Sequence, residues 1–391
     1  MSRSLLAGVL ASLLGVAAAI SCAGCGSSAA AKAGSGTAAT GAPAAAPELS
    51  YSAGTSQATW AVLPMGAPSG PNEFWQLFLR TAGQQEWALD TPPDIATNGA
   101  IELAGLTGMS LVTGIRPSLY LAYSPVSLTR NGGQQWAAGP PAQRLANVPD
   151  ALAATPGGGR LLALDEVGQA STASSAGNRW TPVVTADTLA RTAAGRACGL
   201  TQLTAVAYSA AGAQLLAGDC RHGVAGIFTR SAGEWRAAGP ALPQTLASSS
   251  IQVLRLVTTS GRTTALLLAG AGSGAQLISA WLGADGTWAT SAPLSVGHAA
   301  VRTSAFGASG DVAAVLSDGH GEIITGPGRS WRQTPPVPAG RAVTIALPSG
   351  GQVEALAAAG GILTVWQLDS DGARWAKVQT LKVPIQYGSS D

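Results

Sequence analysis

The sequence predicts an all-β fold: a seven-bladed β-propeller of four-stranded antiparallel blades, with closure between the termini. Three observations carry this expectation. Trp87, Trp136, Trp180, Trp235, Trp288, Trp331 and Trp375 follow one another at gaps of 49, 44, 55, 53, 43 and 44 residues. One aromatic and one turn per roughly 40–50 residues is the signature of a propeller blade. A short segment after most of these tryptophans reaches a proline: Pro92, Pro140, Pro182, Pro243, Pro293, Pro335 and Pro384. Within a repeat, four short apolar runs are separated by glycine turns, which is the pattern of one antiparallel sheet.

The last repeat shows the pattern most clearly. Runs at 343–347, 353–359, 362–368 and 375–381 are parted by turns at 348–351, Gly360-Gly361 and 369–372. The same order appears in 301–331 and 251–288, and more loosely in 200–235. The first repeat offers only three runs, at 58–63, 74–80 and 86–89, while a tail at 381–387 continues past the last one. One terminal segment is therefore expected to complete the sheet of the other terminus, because an unclosed ring exposes a sheet edge.

The stretch Thr129-Arg130-Asn131-Gly132-Gly133-Gln134-Gln135-Trp136 places Thr, Asn, Gly and Trp at fixed offsets. It resembles the Asp-box, or BNR repeat, of pattern Ser/Thr-x-Asp-x-Gly-x-x-Trp. The pattern has a local cause. The short oxygen-bearing side chains of Thr129 and Asn131 bond backbone N–H groups of a hairpin turn. Gly133 supplies a positive φ, and the Trp136 indole packs under neighbouring strands. Weaker copies precede the other six tryptophans, and the box falls between the third and fourth strands of each repeat.

The chain opens with Arg3 and an apolar run at 5–20, followed by small residues, which reads as a secretory signal over 1–24. Ala23-Gly24-Cys25-Gly26 resembles a bacterial lipoprotein box, which implies lipid attachment at Cys25; Ala19-Ile20-Ser21-Cys22 makes Cys22 the alternative. Residues 25–47 are almost entirely Ala, Gly, Ser, Thr and Pro, so they are expected to form a disordered tether. Roughly 22 such residues span about 26 Å. The propeller is then expected over 48–391. The expected place is the outer face of the cell membrane, held by lipid, with plain secretion as the alternative.

Charged residues make up 11% of the chain and the net charge is +2. With no basic block, nucleic acid is a poor partner. Cys198 and Cys220 bracket what read as the first two strands of the fourth repeat, with a turn near 210–212 between them. An exported chain makes a disulfide the expected outcome. No cofactor, no metal ligand set and no catalytic residue is assigned.

One face of a propeller carries the turns between second and third strands together with the connections between blades; the box turns lie on the opposite face. The first of these faces gathers Asp165, Glu166, Asp219, Arg221, His222, Asp318, His320 and Glu322. The three aspartates recur at the end of a second strand, where a tight turn wants them. Arg221, His222, Asp318, His320 and Glu322 are kept as a possible ligand face. Trp60, Trp75, Trp281 and Trp366 are read as core.

The Asp-box resemblance brings sialidases into view. Such enzymes resemble one another in an early Arg-Ile-Pro, three carboxylate-binding arginines and a tyrosine nucleophile paired with a glutamate. Here Arg116-Pro117 lacks the isoleucine, and Tyr51, Tyr120, Tyr123, Tyr208 and Tyr387 show no local partner that would activate them. An enzyme would need two channel-facing carboxylates among residues such as Glu102, Asp150, Glu166 and Glu322. The leading expectation is a monomeric, non-catalytic module for a protein or glycan of the cell envelope, touching the membrane through its lipid alone. A sialidase-like glycoside hydrolase and an assembly factor for a membrane complex are the alternatives.

Overall fold

The computed structural model of the chain describes residues 51–65, 75–92, 101–115, 125–324, 326–338, 343–349, 352–359 and 361–383. All of them fall in one unit, 41–391. The leader, Cys22, Cys25 and the tether lie outside the described residues, as do Tyr120, Tyr123 and Tyr387.

Almost every described element is a strand, and the strands form antiparallel sheets in sequence order. Five sheets have four strands and one has nine. The nine-stranded sheet holds two successive four-strand meanders, 200–237 and 251–290, with Leu294–Ser295 added at the side. A single pairing, Cys220 with Ile251, joins the two meanders. The last sheet runs Val343–Ala346, Glu354–Ala359, Ile362–Leu368 and Trp375–Lys382, close to the runs expected from sequence.

The apolar runs are near-continuous because each inner sheet face is covered on both sides. In the strand Arg262–Ala269, Ala265, Leu267 and Ala269 pack toward the meander 200–237. Leu266 and Leu268, pointing the other way, pack toward Val301, Val312 and Ala314 of the following sheet. Alternate side chains of one strand thus serve two neighbours. The outermost strand of a sheet has only one neighbour, so Trp375–Lys382 is mostly exposed and polar.

Apolar clusters join each four-stranded unit to the next. A further cluster joins the last sheet to the first, with Leu356, Leu363 and Val365 against Ala61, Phe78 and Trp87. This circular chain of contacts is the arrangement of a β-propeller.

Closure differs from the expectation of shared strands. Tyr51–Gly54 pairs with Ala58–Pro64 and is the first strand of the first sheet, which brings that sheet to four strands. Among the described residues no ladder joins the first and last sheets; each is built from its own consecutive strands. Side chains close the ring instead. Trp87 Nε1 donates to Glu354 Oε2 at 2.8 Å, and Arg80 pairs with the same carboxylate. The Gln379 amide accepts from Trp87 N and donates to Trp87 O, each at 2.8 Å. Ser52 Oγ donates to Ile345 O at 2.9 Å. Tyr51-Ser52-Ala53-Gly54 carries no run of large apolar residues, so the pattern that revealed the other strands passes over it.

The box at 129–136 behaves as its chemistry demands. Thr129 Oγ1 accepts from Gly133 N at 2.9 Å, and Asn131 Oδ1 accepts from Gln135 N at 3.0 Å. Gly133 has φ +79°, and a Cβ there would land on the Asp90 carboxylate of the preceding sheet. The glycine therefore serves both the turn and the close approach of Asp90. Degenerate copies keep the capping with other residues: Asp369 Oδ1 accepts from Ala373 N and Arg374 N, and Asp285 Oδ1 from Thr287 N. The indoles reach back one unit. Trp180, Trp288, Trp331 and Trp375 donate Nε1 to the carbonyls of Pro141, Ala238, Ala292 and Pro335. The segments after Trp136, Trp235, Trp288 and Trp331 thus accept the next indole. Of the four tryptophans read as core, Trp60, Trp75 and Trp281 are buried; Trp366 is half-buried.

Asp90 yields a pH prediction. Burial pushes its carboxyl up to about 6, against a hydrogen bond from Trp60 Nε1 at 3.2 Å. A raised folded value means the group stabilises the fold below about 3.8 and loses that contribution as pH rises through about 6. Asp90→Asn keeps an acceptor for Trp60 and removes the charge. It is expected to stabilise the protein above pH 7 by roughly 1 kcal/mol after solvent screening, seen as a higher melting temperature, and to change little at pH 4. Thermal unfolding at the two pH values checks this.

Candidate functional site

The first strands of successive units line the centre of the ring, and they include Tyr51–Gly54, Ile101–Gly105, Leu152–Ala154, Leu200–Tyr208 and Ile251–Thr259. Their C-terminal halves frame an open recess. The first-to-second-strand turns and the box turns share this end of the channel, by the alternation of an antiparallel meander. Small residues on its wall are Ala53, Ala104, Gly105, Ala153, Ala154 and Ala207, beside the aliphatic Leu103, Leu152, Leu256 and Val257.

At the floor stands an ion pair that sequence reasoning missed. Arg255, 1% exposed, donates Nε to Asp150 Oδ2 at 2.9 Å and Nη2 to Asp150 Oδ1 at 3.0 Å. Its Nη1 donates to Ser304 Oγ at 2.9 Å and to Ser304 O at 3.2 Å, and the guanidinium lies 5.2 Å from the Phe306 ring centre. Asp150 Oδ2 also accepts from Leu256 N at 2.7 Å. The fork matches the carboxylate on both oxygens, the geometry that makes Arg the residue for a buried pair. The one available signal was a lone charged residue, Arg255, inside an otherwise uncharged run, Ile251–Thr259. Its partner lies 105 residues away in sequence, beyond the reach of any local pattern.

The predicted ligand-side residues are placed as follows. Asp165 is a turn residue, its Oδ1 accepting from Val167 N and Gln169 N. Glu166 is exposed and paired with Arg144 at 2.9 Å. Asp318 caps its own turn through His320 N at 2.9 Å. Asp318, His320 and Glu322 share one turn region. Burial pushes the Glu322 carboxyl up, a hydrogen bond from Gln333 opposes this, Asp318 adds to it and His320 draws it back. Arg221 and His222 belong to a different unit. Both backbone N–H groups donate to Cys198 O, and His222 Nδ1 lies 3.2 Å from Ala197 O.

Asp219 corrects the sequence reading: it is no turn residue. It sits within the strand Gln214–Cys220, 1% exposed, with Oδ2 accepting from Gln202 Nε2 at 2.7 Å and Gln252 Nε2 at 3.2 Å. Cys198 and Cys220 form a disulfide with Cα atoms 5.2 Å apart. Cys198 does not sit on a strand as expected; it ends the helix Ala193–Cys198, one of two short helices preceding Leu200–Tyr208.

The sialidase pattern fares as follows. Tyr208 is buried and its hydroxyl lies 3.2 Å from both Leu161 O and Thr172 Oγ1, with no glutamate in that arrangement. Glu102 is fully buried on a first strand. Among the described residues no three His, Cys, Asp or Glu side chains group to hold a metal ion, and no helix is long and apolar enough to cross a membrane.

No family model matches the chain, and no curated protein is similar to it in sequence. Solved structures that resemble it in fold include two of YCF48. YCF48 bound to D1 peptide is 16% identical over 76% of this chain and 87% of that one, with a TM-score of 0.39. YCF48 from Cyanidioschyzon merolae is 15% identical over 81% and 96%, with a TM-score of 0.45. Likenesses this distant assign neither family nor partner.

Proposed function

We propose that this chain is a non-catalytic binding module of the cell envelope: a seven-bladed propeller, counting the nine-stranded sheet as two blades, exported and lipid-anchored at Cys25 (Cys22 as the alternative). Its partner is a protein segment or glycan seated in the recess at the box-turn end of the channel. One observation carries the reading. Asp150, Tyr208 and Arg255 are the ionisable side chains lining that recess, and all three are already engaged with protein partners. A hydrolase needs a carboxylate free to give or take a proton at the substrate. A recess of small and aliphatic side chains and strand-end backbone suits docking instead.

Filling the recess tests it. Ala154→Trp is expected to abolish retention of the envelope partner that the wild-type protein captures, with an unchanged melting temperature. If capture persists in that variant and is lost on changing His222 or Glu322, the opposite mouth is the binding face. The anchor has its own check: radiolabelled palmitate is expected in the wild type and in Cys22→Ala, and not in Cys25→Ala.

A further inference from the structure

The pairing of Cys220 with Ile251 is where a ladder passes from one four-stranded meander to the next. In an antiparallel pair, the residue before one partner stands opposite the residue after the other. Asp219 and Gln252 are therefore set against each other across this seam, at the end of the channel opposite the recess. Both are buried, at 1% and 6% exposure. The amides of Gln202 and Gln252 both donate to Asp219 Oδ2. The other two oxygens of the pair, Asp219 Oδ1 and Gln252 Oε1, are buried without any hydrogen-bond donor. One such acceptor is costly, and two within a single hydrogen-bonded pair call for a donor between them.

We propose that Asp219 is protonated in the folded protein, carries its proton on Oδ1 and shares it with Gln252 Oε1, so that one proton latches this seam. The surroundings agree. Burial pushes the Asp219 carboxyl up, opposed by the Gln202 and Gln252 amides and by the nearby Val253 N–H, which does not reach hydrogen-bond geometry with Oδ1. Among the described residues, the side chains bonded to the Asp219 carboxylate are the neutral amides of Gln202 and Gln252. Leu200–Tyr208 carries no charged side chain; the arginine of Ile251–Thr259 is paired with Asp150. On its own strand, Cys220 is in the disulfide, and the Arg221 and His222 beyond it are exposed. Losing the proton would set a bare carboxylate oxygen against a bare amide oxygen, directly beneath the exposed Gln202. The seam at this mouth is thus tight in acid and loosens in alkali, whatever the module binds.

The test compares wild type, Asp219→Asn and Asp219→Ala as full-length purified proteins, by denaturant unfolding across pH and by infrared spectroscopy. A raised folded value favours the fold below the ordinary carboxyl range, and that advantage is lost as pH rises through the raised value. In that window the wild-type unfolding constant should grow by up to about tenfold per pH unit. Asp219→Asn offers an amide N–H to Gln252 Oε1, so it should lose this part of the slope and be at least as stable as wild type above the window. It should also lose one protonated-carboxyl stretching band. Asp90 and Glu322 titrate in both proteins and cancel. Equal slopes with no band lost, or Asp219→Asn as destabilised as Asp219→Ala at every pH, would overturn the proposal. Should Asp219→Ala fail to fold, the slopes and spectra of the other two still decide.

Discussion

Arg255→Ala is expected to destabilise the protein by roughly 3–5 kcal/mol, the cost of leaving the buried Asp150 carboxylate without its partner. The carboxylate sits 5% exposed at the floor of the recess and would keep only the Leu256 N–H. Arg255 also bonds Ser304 and lies by Phe306, so the truncation opens space between two first strands. The pair Arg255→Met with Asp150→Asn removes both charges and keeps an acceptor for Leu256 N. It is expected to recover most of the loss, because a buried ion pair yields little net stability over a neutral replacement of similar volume. Denaturant midpoints of the three variants check this. A loss under about 1 kcal/mol for Arg255→Ala would mean that water reaches the pair.

Glu354→Ala carries the second large effect, at the junction of the first and last sheets. Glu354 is 1% exposed and accepts from Trp87 Nε1 and Gln367 Nε2 while pairing with Arg80. Burial already holds the Arg80 guanidinium below its ordinary value, so removing the carboxylate strands a desolvated cation and an indole N–H together. The expected cost is again roughly 3–5 kcal/mol. Its location is the sharper signature. Hydrogen exchange should quicken first in Tyr51–Gly54 and Val343–Ala346, which face each other across the junction through the Ser52–Ile345 hydrogen bond. Glu354→Gln keeps an acceptor for Trp87 and should fall between alanine and wild type. Uniform quickening across all sheets would mean that the ring has no preferred opening point.

The strands were legible because both faces of most inner strands are buried, which writes apolar runs into the sequence where a half-exposed sheet would write alternation. The box turns were legible for a different reason. Thr129, Asn131 and Gly133 act within six residues of one another, so local spacing carries their chemistry. What escaped was long-range or weakly patterned. Tyr51–Gly54 is short and lacks large side chains, and its strand identity comes from its neighbour. Asp150 and Arg255 meet only after three units have folded. Asp219 looked like a turn aspartate by position, and its true partners lie on two other strands. Trp87 belongs to the first unit, and its indole meets the Glu354 carboxylate of the last sheet, 267 residues away in sequence.

The most direct test of the binding-module reading is turnover of a panel of fluorogenic glycosides, sialosides included, by the purified protein. The account predicts no fluorophore release across the panel, because Asp150, the carboxylate that lines the recess, is locked by Arg255. Release that is lost on Asp219→Asn or Glu322→Gln, in variants that still melt like wild type, would contradict it and make the chain a glycosidase.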